Sequence, residues 1–272
     1  MLRRSAAFLA ERGSPSPRLD ADLLLAHALG VERLALYTAS ERPLNAAELD
    51  RARALVARRG RREPLAYITG ARAFRRLRLE VGPQVLVPRP ETEVLVEWAL
   101  EVAAPGAAVL DWGSGSGAVA LALADEGDGL RVTAVESSGP ALAVARANGR
   151  RLGLEVEWLE SDGFGALAAR RFALVAANPP YLSPAELEAA PPELHFEPAE
   201  ALVAGPTGLE AIARLAAEAP AHLEPGGALL VEVGEGQAEP AAAALRGAGL
   251  EGVERRADLA GVARVVGGRR PA

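Results

Sequence analysis

The sequence predicts an α/β protein: a mostly parallel sheet with an antiparallel closing strand, preceded by a small helical bundle. Three observations point that way. Up to about residue 72 the apolar residues recur only at helical spacing. From about residue 90, short apolar runs alternate with helical segments, as in strands joined by crossovers. At the end, Val253–Arg256 and Val262–Val266 flank Asp258 to Gly261 and form an antiparallel pair.

The elements follow in order. Asp20 caps a helix carrying Leu23, Leu24, Leu25 and Leu29, and Gly30 stops it. Ala46 to Arg59 is a second amphipathic segment, ending at Gly60. A bundle of this size buries one small core and shows no catalytic cluster, so its expected role is to recognise a partner or to cap the larger domain. In residues 73–88, Leu77, Leu79 and Val81 alternate with polar residues, Gly82-Pro83 makes a turn, and Val85-Leu86-Val87 follows, a hairpin signature. The expected strands beyond it are Ala108–Trp112, Arg131–Glu136, Val156–Ser161, Phe172–Ala177 and Ala228–Val233. Helices start near Gly117, Pro140 and Leu209. The expected domains are 1–72, a helical recognition domain; 73–88, a hairpin linker; and 89–272, the α/β domain.

Composition bounds the function. The 272 residues are 50% hydrophobic, enough for a sizeable core. Cysteine is absent, which rules out disulfides and thiolate metal ligands and fits a reducing compartment. The apolar run Ala6 to Ala10 is too short for a secretory signal, and no run reaches membrane-span length, so a cytoplasmic protein is expected. The net charge of −6 argues against a basic nucleic-acid coat. One dense basic run, Arg58-Arg59-Gly60-Arg61-Arg62, reads either as a solvated helix end complementing the helix dipole or as a contact with RNA or a ribosomal partner. Every basic residue is arginine, a bias that reads as base-composition pressure.

The first strand–helix junction, Asp111-Trp112-Gly113-Ser114-Gly115-Ser116-Gly117, is a glycine-rich loop ending at a helix N-terminus. Glycines let the backbone turn tightly and approach a ligand closely. The spacing fits both NAD and S-adenosyl-L-methionine. Asp111 favours the methyl donor, whose amino group a carboxylate attracts, whereas a pyrophosphate would be repelled. Glu136, ending the second strand, is placed to accept ribose hydroxyls. In Asp162-Gly163-Phe164, after the third strand, the aspartate could meet the adenine amino group and the phenylalanine its face; an ordinary turn reads equally well.

Asn178-Pro179-Pro180-Tyr181 ends the fourth strand, where open α/β sheets bind ligands. An amide or aromatic amine is a poor nucleophile because its lone pair is delocalised. The Asn178 side-chain oxygen and the Pro179 carbonyl can each accept one N–H of such a planar NH2 group. Prolines keep the turn rigid and supply no competing donor, and Tyr181 supplies a flat wall. Orientation of this kind is worth roughly 7–11 kcal/mol of barrier lowering, and one fixed dipole a further share of order 3 kcal/mol. Asparagine is otherwise scarce, found only at Asn45 and Asn148.

Loop and motif together resemble the seven-strand, Rossmann-like S-adenosyl-L-methionine-dependent methyltransferases that act on amino groups. The rest of the chain resembles the HemK/PrmC protein-glutamine N5-methyltransferases. The resemblance runs through Pro17 to Ala21, Leu23 to Gly30, Glu63 to Gly70, Val85 to Glu93, Glu197-Pro198, Ala201-Leu202, Gly208-Leu209, Pro225 to Gly227, Glu232, Gly234, Gln237, Asp258 to Gly261 and Arg264 to Val266. That family modifies the glutamine of the GGQ motif in class 1 peptide-chain release factors. The resemblance implies that the donor, which leaves as S-adenosyl-L-homocysteine, is held by Gly113 to Gly117, Glu136, Gly163 and Asn178. It implies that Asn178 to Tyr181 hold the glutamine, with Pro90, Glu91, Thr92 and Glu197 beside it. As a sole role, Glu91 and Glu93 would favour a helix N-terminus. The chain departs from the family at Gly163, where a bulky residue is usual, leaving adenine to Phe164 or more loosely packed. Arg76 and Ala263 replace a usual glycine and aspartate, and Ala204 to Thr207 a usual double-glycine turn.

Other readings are weighed against this one. An adenine-N6 nucleic-acid methyltransferase would share the Asn178 motif, but the acidic balance and few aromatics disfavour it. An NAD-dependent oxidoreductase leaves Asn178 to Tyr181 unexplained, and a silent binding module would not need Asp111, the glycines and Glu136 together. His27, His195 and His222 show no metal spacing, and no metal is expected. Neither membrane attachment nor direct contact with nucleic acid is required.

Overall fold

A proline at the first position of a helix leaves no N–H unsatisfied, and its φ is already helical. Pro17 uses both properties. In the computed structural model, which describes residues 1–38 and 42–272, the second helix runs Pro17–Leu29 behind the cap residue Ser16. Asp20, expected to cap it, lies inside the first turn and is buried. Its carboxylate accepts from Ser14 Oγ and from Arg59 Nε, both at 2.6 Å. Tertiary partners have claimed the group that local pattern assigned to the backbone. Gly30 ends the helix as expected, at φ 65°.

The chain divides into two compact units, Met1–Ala71 with Pro191–Phe196, and Arg72–Ala190 with Glu197–Ala272. The first contains α1 (Leu2–Glu11), α2 (Pro17–Leu29), α3 (Ala35–Thr38), α4 (Ala46–Gly60) and α5 (Leu65–Thr69). Leu9, Ala21, Leu24, Val56 and Ile68 form one of its small cores. A capping box starts α4: Asn45 Oδ1 accepts from Glu48 N at 2.9 Å, and the Glu48 carboxylate accepts from Asn45 N at 3.0 Å.

The basic run is neither a solvated helix end nor a free cationic patch. Arg59 is only 4% exposed. It donates to Asp20, to Glu193 at 2.9 Å and to the Glu63 carbonyl at 3.1 Å. Arg62 makes a two-pronged pair with Glu193, and Arg58 another with Glu63. Three of the four guanidiniums are thus committed to carboxylates inside this unit.

The second unit starts with a hairpin, β1 (Ala71–Phe74) and β2 (Leu77–Glu80). Its turn falls at Arg75 and Arg76, with Arg75 at φ 50°, rather than at Gly82-Pro83, and Val85 to Val87 form no strand. Packing decides the register, because this pairing buries Phe74, Leu77 and Leu79 together in one core. Glu93 accepts the Arg75 N–H at 3.1 Å, and Glu126 takes its guanidinium.

After α6 (Glu93–Val102) come β3 (Ala108–Trp112), α7 (Ala118–Glu126), β4 (Arg131–Glu136), α8 (Gly139–Leu152), β5 (Glu157–Glu160), β6 (Phe172–Ala177), α9 (Pro184–Ala189), α10 (Glu210–Glu218), β7 (Leu223–Glu232), α11 (Ala238–Gly247), β8 (Glu251–Ala257) and β9 (Ala263–Arg269). Seven strands form one sheet in the order β5-β4-β3-β6-β7-β9-β8. Neighbours are parallel except where β9 pairs antiparallel with both β7 and β8, so the expected antiparallel closure is present. β7 starts five residues earlier than its apolar run, with an irregularity opposite Phe172 to Leu174.

Alternation along the strands feeds two cores. Leu110, Trp112, Val175 and Val231 join Ile212, Leu215, Ala241 and Leu245 of α10 and α11 on one face. Val109, Leu174, Ala176 and Leu230 join Leu95, Ala99, Leu121 and Leu123 of α6 and α7 on the other. After β3 the chain builds outward through β4 and β5, then returns to the other side of β3 with β6. The carboxyl ends of β3 and β6 therefore flank the point where strand order reverses, the usual ligand crevice of such sheets. Among the described residues, no helix is long and apolar enough to cross a membrane.

Candidate functional site

At that reversal lies a cavity of about 370 Å³ within the second unit, in the size range of small-molecule sites. Gly113 to Ser116, Glu136, Asp162, Gly163, Thr92, Asn178 and Pro180 line it, so the structure brings together residues that the sequence scatters from Thr92 to Pro180. Asp111, Gly117, Phe164, Pro179, Tyr181, Pro90, Glu91 and Glu197 do not line it.

The loop after β3 is built to expose backbone. Gly113 and Ser114 N–H both point to the Val135 carbonyl of β4. A side chain on Gly113 or Gly115 would project into open space, whereas one on Gly117, at φ 84°, would come within 2.9 Å of the Trp158 ring. Gly117 thus serves the packing of loop on helix, not the ligand face. Asn148, fully buried, holds the same loop through Nδ2 to the Ser116 carbonyl at 3.0 Å, and both its amide groups also bond the Glu80 backbone.

Asp111 is set behind the loop, 1% exposed, accepting from Ala120 N at 3.0 Å. The carboxylate holds the first turn of α7, so the expected reach to a ligand amino group, by hydrogen bond or through water, would start from behind the loop. Burial, with the Glu136 charge adding to it and the Ala120 N–H opposing, pushes its carboxyl up to about 7. Glu136 does line the cavity. It accepts from Gly115 N at 2.8 Å and Ser138 N at 2.9 Å, which leaves roughly half of a carboxylate's acceptor capacity open for hydroxyls.

The adenine expectations need revision. Phe164 turns away from the cavity into the core and stacks on His222, ring centroids 4.5 Å apart. Asp162 is in the lining, but its carboxylate is paired with Arg214 Nη1 at 2.5 Å. A Cβ on Gly163 would meet Arg214 Nη2 at 2.8 Å, so Arg214 fills the space that the family's bulky residue would take. Trp112 and Arg214 are lining residues the sequence reading missed. Alternation along β3 could have pointed to Trp112, two residues from Leu110 on the same sheet face. Nothing local signals Arg214, which arrives from α10.

Asn178 donates through Nδ2 to Thr92 Oγ1 at 3.2 Å. No protein donor among the described residues reaches its Oδ1 or the Pro179 carbonyl, so two acceptors stay free at the turn. The turn is held from behind. Leu202 O accepts from Tyr181 N and Leu182 N. Gln237 Nε2 donates to the Tyr181 carbonyl at 2.8 Å, and Gln237 Oε1 accepts from Gly234 N at 3.0 Å. At Gly208, φ 76°, a Cβ would come within 2.6 Å of the Tyr181 carbonyl oxygen. Tyr181 is largely buried and its phenol is pushed up to about 12, first by burial and then by Glu232, so it stays protonated at neutral pH.

Pro90–Thr92 is a single 3-10 turn leading into α6. Thr92 is buried and reaches the cavity; Glu91 instead faces Tyr181, Glu232 and Arg264 electrostatically. Glu197, expected beside the substrate, is buried and braces the turn before Pro90: it accepts from Val87 N at 2.9 Å and Arg89 Nη2 at 2.5 Å. Its assignment changes from substrate contact to support. Among the described residues no cluster has the makings of a metal site.

Comparison with known proteins decides the family. The PrmC N-terminal domain family matches residues 1–70, and the methyltransferase small domain family matches residues 90–205. Release factor glutamine methyltransferase of Geobacter sulfurreducens is 45% identical over 263 residues, 96% of this chain and 93% of its own. The chain belongs to the release factor glutamine methyltransferase family. A second member, from Burkholderia pseudomallei, is 47% identical over 271 residues, covering 96% of this chain and 94% of its own. Among solved structures, a methyltransferase from Pyrococcus furiosus superposes with a TM-score of 0.55 at 18% identity, covering 71% of this chain and 89% of that one, a likeness of fold.

The donor of such a methyltransferase must fit the residues present, and two observations say it does. The glycine loop offers backbone with open space above Gly113 and Gly115. Two buried polar atoms of lining residues, Ser114 Oγ and Trp112 Nε1, have no partner among the described residues. Buried polar groups are rarely left so, and a ligand with polar atoms would satisfy them.

Proposed function

We propose that the protein transfers a methyl group from S-adenosyl-L-methionine to the side-chain amide nitrogen (N5) of the GGQ glutamine in class 1 peptide-chain release factors. The observation that carries this reading is the free pair of acceptors, Asn178 Oδ1 and the Pro179 carbonyl, beside a cavity floored by the glycine loop. When bound, S-adenosyl-L-methionine supplies a sulfonium methyl group and leaves as S-adenosyl-L-homocysteine. Gly113 to Ser116 hold it by backbone, and Glu136 by its ribose.

The protein's part is orientation and charge. Asn178 Oδ1 and the Pro179 carbonyl each accept one N–H of the glutamine amide, which fixes its plane and aims the nitrogen. As the N–C bond forms and the C–S bond breaks, the nitrogen becomes electron-poor, its N–H groups become better donors and the two acceptors bind more tightly, until one of the two protons is released to solvent. Interactions that strengthen in the transition state raise turnover rather than affinity. Tyr181, kept neutral, gives a flat wall without a charge that would compete for the amide. We assign residues 1–72 to recognition of the release factor and 89–272 to catalysis, with the hairpin in 73–88 packed into the core of the catalytic unit, in a cytoplasmic protein that needs neither metal nor nucleic acid.

The test is direct. The protein and labelled methyl donor are incubated with a release factor, with its GGQ glutamine replaced by alanine, and with DNA. Label should enter the first alone. Label in DNA with the release factor untouched would favour the adenine-N6 reading and sink this one.

A further inference from the structure

The cavity lacks an aromatic wall where a nucleoside base would lie. A nucleoside whose ribose meets Glu136 at the end of β4, and whose tail runs back to the glycine loop at the end of β3, carries its base toward β5. That strand is the next in the sheet, about 5 Å further on. The residues that line the cavity just beyond β5 are Ser161, Asp162 and Gly163. Gly163 has no side chain to offer, and Phe164 is stacked on His222 in the core. What stands there comes from α10, whose Glu210, Ala211 and Arg214 share one helix face and line the same cavity.

Arg214 is anchored through all three of its nitrogens. Nη1 donates to Asp162 Oδ1 at 2.5 Å, Nη2 to the Asp162 carbonyl at 3.4 Å, and Nε to Glu218 Oε1 at 3.0 Å. A Cβ built on Gly163, at φ 60°, would meet Nη2 at 2.8 Å and Cζ at 3.2 Å. The guanidinium therefore occupies the space that a side chain at that position would enter. A planar cation stacks well on the π-face of a base, and one fixed in advance loses little freedom in doing so. Left bare, its charge would repel a sulfonium ligand. Asp162 and Glu218 cancel that charge and leave the plane. Asp162 then works as a clamp on Arg214 rather than as the partner of an adenine amino group.

Resting on the methyl-donor reading above, we propose that Arg214 is the base-binding residue of this chain, its guanidinium stacking on the adenine of S-adenosyl-L-methionine in place of a side chain at position 163. Arg214→Lys should then fail much as Arg214→Ala does, because lysine keeps the charge and can still pair with Asp162 but has no plane.

The experiment measures two affinities by calorimetry for the whole protein, Arg214→Ala and Arg214→Lys. One ligand is S-adenosyl-L-homocysteine; the other is S-ribosyl-L-homocysteine, the same molecule without its base. Both variants should bind S-adenosyl-L-homocysteine about five- to thirtyfold more weakly than the parent. Both should bind S-ribosyl-L-homocysteine within about twofold of the parent, with an unchanged urea midpoint. Equal losses for the two ligands would overturn the proposal, since they mark a merely structural role. Unchanged or tighter binding of S-adenosyl-L-homocysteine in Arg214→Ala would also overturn it and return the base to the freed Asp162. A parent protein that binds neither ligand would instead overturn the methyl-donor reading, which keeps the two failures apart.

Discussion

Asp111→Asn should make the protein more stable, and by an amount that depends on pH. In the folded chain the carboxyl is pushed from 3.8 to about 7, chiefly by burial. A raised carboxyl is stabilising in its protonated form only. Its contribution is fully present below the unfolded value of 3.8 and is lost as pH rises through about 7. Each pH unit between the two values is worth about 1.4 kcal/mol, so the ionised carboxylate costs about 4 kcal/mol at pH 8. At pH 5.5 less of that interval has been crossed, and the cost is about 2 kcal/mol. Asparagine keeps an oxygen for the Ala120 N–H, now 3.0 Å from Asp111, and has no charge to desolvate. Urea unfolding of parent and variant at the two pH values should therefore show a gap of about 4 kcal/mol shrinking to about 2. A gap that does not change with pH, or a variant less stable at pH 8, would refute the reasoning, because then burial of charge is not what the carboxyl endures.

Other perturbations test other parts. Asn178→Ala should lower kcat by about a hundredfold or more, the scale of one lost preorganised partner, with a modest change in donor affinity; single-turnover kinetics and calorimetry read the two separately. Arg59→Ala leaves Asp20 buried without its cation, while Glu193 keeps Arg62, and should destabilise the first unit by about 3–5 kcal/mol, whereas the exposed Arg61→Ala should cost no more than about 0.5 kcal/mol. Chemical denaturation decides it, and if Arg59→Ala instead spared stability and abolished binding to RNA, the basic run would be a nucleic-acid contact after all. Removing residues 1–72 should depress turnover of a whole release factor by more than tenfold while changing donor affinity by less than about threefold; equal turnover with and without them would end the recognition role.

What could be read from the sequence was whatever depends on near neighbours. The seven strands and their crossovers follow from the spacing of apolar residues, and the glycine loop from its own residues. The failures share a cause, which is distance along the chain. Asp20 looks like a cap because caps are local, yet it answers to Arg59, 39 residues on. The basic run looks solvated because Glu193, 134 residues from Arg59, is not visible beside it. Phe164 looks like an adenine platform because it follows a strand, but loop residues have no alternation to fix their facing, and this one faces the core. The hairpin turn misplaced at Gly82-Pro83 is the same error at shorter range: turn residues voted for one register, while burial of Phe74, Leu77 and Leu79 imposed another.

Scarcity was the better guide. Of the three asparagines in the chain, two stand where no common residue will do, and the third is a helix cap that serine or aspartate could also form. Asn45 caps α4 by accepting a backbone N–H. Asn148 gives and takes at once, bonding both backbone groups of Glu80 while it holds the Ser116 carbonyl, a pairing that a carboxylate or a hydroxyl cannot match. Asn178 needs the same double character: an N–H for Thr92 and an oxygen for the substrate amide. Aspartate there would keep the oxygens but have no N–H to give Thr92, and alanine would offer neither. Its chemistry was legible from Asn178 to Tyr181 alone, but its direction was not, because that direction is set by Thr92, which the fold brings in from α6's lead-in turn.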